Sequence, residues 1–123
     1  MEFFAVVDRS LDADSLQRRL TVSTLAEHCE VIDEVLRHEG ERGEIYCLWG
    51  GFEVRRERIN GGVRFTLPGC PNALAWTVTV DGTAAEVVVH CTINRHDHDP
   101  DFIESIEQFV AAWAEGIGRL SPI

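Results

Sequence analysis

His96-Asp97-His98-Asp99, with His90 and Cys91 just upstream, is the stretch that comes nearest to a chemical site. Imidazole and carboxylate are ligands that zinc and other divalent ions accept. His96 and His98 are therefore the weak metal candidates. Two features argue against a centre there. The tetrad stands on a connection that leads directly into a helix, where Asp99 serves as the cap. Alternation along a strand also sends His90 and Cys91 to opposite faces. The expectation is a polar connection, with no metal and no cofactor.

Nucleophilic chemistry fares no better. Cys29, Cys47, Cys70 and Cys91 stand far apart, and no C-x-x-C pair is present. Three of them fall inside apolar patterns, where a thiol acts as a small hydrophobe. Cys70, in Pro68-Gly69-Cys70-Pro71, belongs to a loop, without a neighbouring base to activate it. No G-x-S-x-G elbow exists, and no G-x-G-x-x-G cradles a phosphate. All eleven basic side chains are arginine. Schiff-base lysines, P-loop lysines and lysine general bases are thus excluded. No catalytic residue is assigned.

Two constellations could bind. Arg55, Arg56, Arg58 and Arg64 form a locally basic patch that could hold a carboxylate or phosphate through paired hydrogen bonds. Interleaved Glu53 and Glu57 make a solvated hairpin the simpler reading. Trp76 and Trp113 could line an apolar ligand pocket, with His90 or Tyr46 as polar anchor. Core packing is the plainer role for the tryptophans, Trp49 included.

These residues need elements to position them. Phe3 to Val7 reads as a strand, and Asp12 to Leu20 as a brief helix. Thr24-Leu25-Ala26-Glu27 fits a capping box. Leu25, Cys29, Ile32 and Leu36 recur at helical spacing. A second helix is therefore expected from Leu25 to about Glu39, stopped by Gly40. Ile45–Trp49, Phe52–Ile59 and Val63–Leu67 read as strands, with Asn60-Gly61 as a hairpin turn. Two registers stay open there. One sets Arg56 against Phe65, and the other adds Gly62 to the loop. Leu74–Val80 and Val87–Ile93 alternate cleanly. A two-residue Asp81-Gly82 turn would set Trp76 opposite Val87.

The last helix starts at Asp99-Pro100-Asp101, with aspartate as N-cap and proline at the first helical position. Ile103, Ile106, Val110, Trp113 and Ile117 form its apolar stripe, broadened by Phe102 and Phe109. The expected fold is a single α+β domain over residues 1–123. It has an antiparallel sheet of five to six strands, a long C-terminal helix and two N-terminal helices. This element order resembles the helix-grip arrangement of START and Bet v 1-like domains, in which a curved antiparallel sheet wraps a C-terminal helix. The resemblance implies an internal pocket for an apolar small molecule.

The formal net charge of −10 repels phosphate backbones and anionic lipid, so neither nucleic acid nor membrane is an expected partner. No apolar run approaches the roughly 20 residues that span a bilayer. The N-terminus lacks the positive region of a signal peptide and its apolar run is too short for one, so a cytoplasmic location is expected. The reading that follows is a small acidic protein that binds a protein partner without catalysis. A helix-grip pocket protein that binds or transforms an apolar molecule is the first alternative. A structural homodimer subunit is the second.

Overall fold

A computed structural model describes residues 1–81, 85–94 and 98–121. The chain opens with β1 (Glu2–Val7), α1 (Ala13–Arg19), a 3-10 turn (Val22–Thr24) and α2 (Leu25–His28). Six strands follow: β2 (Ile32–Glu39), β3 (Arg42–Cys47), β4 (Gly50–Ile59), β5 (Gly62–Thr66), β6 (Ala75–Val80) and β7 (Val87–Thr92). The helix α3 (Pro100–Gly118) closes the chain. The fold is α+β with a C-terminal helix. Among the described residues the antiparallel sheet has seven strands rather than five to six, in the order β1-β7-β6-β5-β4-β3-β2.

The additional strand replaces most of the second expected helix. Only Leu25–His28 is helical, and β2 occupies the rest. Its partner strand β3 turns Cys47, Ile45 and Gly43 inward at the usual spacing of two. The opposed residues on β2 are Ile32, Val35 and His38, because the register shifts between Ile32 and Glu34 and again between Val35 and Arg37. Each shift inserts a residue, so the spacing of residues opposite the inward set of β3 becomes three, close to a helical repeat. Leu36, expected on the helix's apolar face, is 49% exposed. Gly40, at φ +60°, closes the β2–β3 turn instead of ending a helix. The capping box also forms one turn earlier than expected, between Thr21 and Thr24.

The Asn60-Gly61 hairpin takes the two-residue turn, with Ile59 opposite Gly62, Arg58 opposite Val63 and Arg56 opposite Phe65. Gly62 belongs to the strand for a steric reason. A Cβ there would lie 2.0 Å from the Val78 carbonyl oxygen on β6. The β6–β7 register departs from the expected one by four residues. Val80 pairs with Val87, Val78 with Val89 and Trp76 with Cys91. The connection is longer than two residues; Gly82 lies outside the described residues. An even shift keeps every side chain on its face, so the inward set survives.

Asp99 caps α3 by accepting from the Asp101 N–H at 2.8 Å, with Pro100 at the first helical position. Ile106, Phe109, Val110, Trp113 and Ile117 are buried against the sheet. Each such large side chain contributes roughly 1.5–3 kcal/mol. Trp76 sits among Phe109, Phe65 and Trp113, at ring distances of 4.8, 5.3 and 6.1 Å. Arg9 donates to the Ile117, Gly118 and Leu120 carbonyls at 3.0, 3.1 and 2.6 Å, tying the end of β1 to the end of α3. A cation there complements the negative helix end.

Candidate functional site

Trp76 and Trp113 meet inside the core, but the other two candidate pocket residues do not join them. Tyr46 lies on the outer face of β3 and is 51% exposed. His90 lies on the outer face of β7, between inward-facing Val89 and Cys91. Three strands separate β7 from β3, a gap of roughly 19 Å at about 4.8 Å per strand. The four residues therefore line no common pocket. The buried indole N–H groups of Trp76 and Trp113 have no acceptor among the described residues.

The arginine patch divides across the sheet. On the outer face, Arg55 approaches Glu53 at 3.8 Å and Arg64 bonds Glu57 at 2.8 Å. Arg58 is exposed on the opposite face, across from Val63. Arg56 turns inward and is 6% exposed. It donates to the carbonyls of Leu20, at 2.7 Å, and Gln17. It also bonds both Glu41 carboxylate oxygens at 2.9 Å. Arg56 is thus spent on the fold, and no four-arginine anion site forms.

His96 lies outside the described residues. His98 is half-buried beside Phe102, with ring centroids 5.4 Å apart. Among the described residues no group of three or more His, Cys, Asp or Glu side chains could hold a metal ion. Burial pushes the Cys29 and Cys91 thiols up to about 12 and also raises Cys47.

His28 offers a pH-dependent feature of the fold. Its Nε2 lies 3.2 Å from the Arg19 carbonyl oxygen, which fixes the Nε2–H tautomer as donor. Burial lowers its pKa below the ordinary 6.5, and the bond to Arg19 offsets this in part. A lowered pKa means that the unfolded chain binds the proton more readily, so stability falls as the pH drops below about 6.5. His28→Gln keeps a donor for Arg19 and removes the titration. Urea midpoints between pH 7 and pH 5 should therefore fall less steeply in His28→Gln than in the parent; equal slopes would refute the assignment.

The sheet edges differ more than any other pair of features. At one end, β2 is bulged twice and carries Asp33, Glu34, Arg37, His38 and Glu39, all exposed. Bulges and charges are the usual means of blocking an edge against further pairing. At the other end, β1 pairs with β7 through six consecutive residues without a break. Its outward side chains Phe4 and Val6 are 60% and 59% exposed. Phe4 stacks on His90 at 4.3 Å, and His90 Nε2 donates to Glu2 at 2.9 Å.

The hydrogen-bond phase of β1 follows from its first pair. Met1 and Ile93 exchange both backbone bonds, at 3.0 and 3.1 Å. Bonded and non-bonded pairs alternate in an antiparallel ladder, so Phe3, Ala5 and Val7 bond β7. Glu2, Phe4 and Val6 turn their N–H and C=O groups toward the open side. Beside them runs a groove of about 420 Å³, lined by Phe3, Phe4, Ala5, Glu107, Val110 and Ala111. It exists because Ala5 and Ala111 leave room between the strand and α3. The sequence marks β1 as a strand but not as the end of the sheet. The clue is the run Phe3-Phe4-Ala5-Val6-Val7, which is apolar on both faces where an ordinary edge strand carries charge. A wider cleft of about 920 Å³, bordered by Ser10, Asp12, Asn60, Thr79 and Asp81, holds no nucleophile–base pair among the described residues. Its Asp12 carboxylate is engaged in capping α1.

The sequence matches no protein-family model and no curated protein. In fold the chain is similar to the solved structure of the protein XoxI from Bacillus cereus. The TM-score is 0.66, with 95% of this chain and 91% of that chain covered at 12% identity. At that identity the likeness concerns the fold alone. No helix among the described residues is long and apolar enough to cross a membrane.

Proposed function

We propose that this acidic chain is a single-domain cytoplasmic binding protein without catalysis, which takes its protein partner along the β1 edge. The observation that carries this reading is the contrast between a blocked β2 edge and an unbroken, apolar β1 edge. Strand addition at such an edge draws affinity from backbone hydrogen bonds and specificity from alternate side-chain pockets.

Two substitutions close the edge in different ways. Val6→Pro removes an N–H that β7 does not use, which an edge strand tolerates. Val6→Glu places a charge on the edge. Native mass spectrometry of protein recovered from its host should show a protein-partner mass with the parent and with Leu36→Glu on β2. The same mass should disappear with both Val6 variants. Retention by the Val6 variants, or equal loss from Leu36→Glu, would overturn the reading.

The indole donors of Trp76 and Trp113, which have no acceptor among the described residues, favour a second reading, a small apolar molecule with one acceptor atom held between the sheet and α3. An unmade buried hydrogen bond costs about 1–3 kcal/mol, which an inserted acceptor would recover. The same spectra decide this, because such a ligand would add a few hundred daltons whatever residue stands at position 6.

A further inference from the structure

The occupant of the β1 edge can be narrowed by charge. Glu2 stands at one end of the open strand, Asp8 just past the other, and Glu107 at the wall of the groove. The helix that forms this wall, α3, carries Asp101, Glu104, Glu107 and Glu115 and no basic residue. The nearest arginine on the chain, Arg9, is committed to the carbonyls at the end of α3. The rim of the site is therefore acidic, its floor is apolar, and its third component is a row of backbone donors and acceptors.

We infer that the β1 edge binds an extended segment of a partner protein, apolar at alternate positions and flanked by arginine or lysine. This rests on the reading of β1 as the binding edge and adds the chemistry of what it takes. Successive side chains of an added strand point to opposite faces of the sheet. One set enters the groove over Ala5, Val110 and Ala111. The other lies beside Phe4 and Val6 on the outer face. The flanking cations meet Glu2 and Glu107 toward one end and Asp8 at the other. Pairing along Glu2–Val6 spans five residues, roughly 17 Å of strand.

A second copy of this chain suits the site less well. Each copy carries a formal charge of −10. Antiparallel pairing of two β1 strands about Phe4 would also bring the two acidic α3 helices side by side on one face of the joined sheet. Like charges in such proximity oppose association and are a means of excluding the wrong partner.

The test uses the full chain labelled with nitrogen-15 and two decapeptides of alternating valine and threonine, one ended by arginine pairs and the other by glutamate pairs. The arginine peptide should shift the amide signals of Glu2, Phe4, Val6 and Ala111. It should bind at least tenfold more tightly than the glutamate peptide at low salt. Raising the salt should narrow that ratio, because exposed charges are screened. Glu107→Gln, an exposed substitution, should weaken the arginine peptide severalfold and leave the urea midpoint unchanged. Equal affinity for the two peptides, or no shift along β1, overturns the inference. A dimer mass with concentration-dependent shifts at the same amides also overturns it, in favour of a second copy, while the edge reading stands. If the Val6 variants keep their host partner, the edge reading itself fails.

Discussion

Gly116→Ala is expected to destabilise this protein by about 3 kcal/mol or more, although alanine is the better helix former. In an exposed helix interior the exchange gains up to about 1 kcal/mol. Here a Cβ on Gly116 would stand 1.6 Å from the His28 carbonyl oxygen, 2.6 Å from its carbonyl carbon and 3.2 Å from its Cα. These are backbone atoms at the end of α2, so no side chain can swing aside. The helices must separate, and Ile117 and Trp113, both fully buried, move with α3. Overpacking a tight contact costs typically 1–3 kcal/mol and sometimes more, against a total stability of about 5–15 kcal/mol for a domain. A Cβ on Gly118, two residues on, would meet nothing within 4 Å. Gly118→Ala is the control and should be neutral or slightly stabilising. Urea denaturation of the two variants reads both signs, and a Gly116→Ala midpoint equal to that of Gly118→Ala would rule out the close contact.

That contrast also measures what the sequence could tell. Both glycines look like loosening residues at a helix end, since nothing in a one-dimensional pattern says that α2 passes against one and not the other. Features set by local rules are legible: the Asp99-Pro100 start of α3, its apolar stripe, the Asn60-Gly61 turn and the inward set of β6 and β7. Features set by tertiary contact are not. β2 imitates a helix because its two bulges space Ile32, Val35 and His38 by three. The β6–β7 register slips by four because a longer connection replaces the tight turn, although parity keeps Trp76 inside. The candidate pocket fails on a related point. Alternation shows that two residues face opposite ways, but not which face is covered, so Tyr46 and His90 lie on the outer side while both tryptophans lie within. The binding edge is invisible for a different reason. Which strand ends a sheet is a property of strand order, and β1 reaches its place by pairing with β7, at the far end of the chain.

Arg56→Met should have the next largest effect, about 3 kcal/mol of lost stability, and it separates the buried arginine from its exposed neighbours. The two-residue turn at Asn60-Gly61 already sets Arg56 against Phe65 and in phase with Val54, which is the inner face. The guanidinium reaches the end of α1 and satisfies the Gln17 and Leu20 carbonyls, which have few other partners once the helix stops. Methionine fills the stem's volume but leaves those acceptors without a charged donor, and bonds to a charged group contribute roughly 1.5–3 kcal/mol each. The ion pair with Glu41 is a smaller matter. Its carboxylate side is 55% exposed, and pairs open to solvent contribute about 0–1 kcal/mol. Glu41→Gln should therefore cost well under a third of Arg56→Met, and Arg64→Gln, whose Glu57 partner is also exposed, less still. Urea midpoints for the three variants should fall in that order. If Arg56→Met and Arg64→Gln were equally mild, the guanidinium would not be holding α1 to the sheet, and the arginine cluster would revert to an ordinary solvated hairpin.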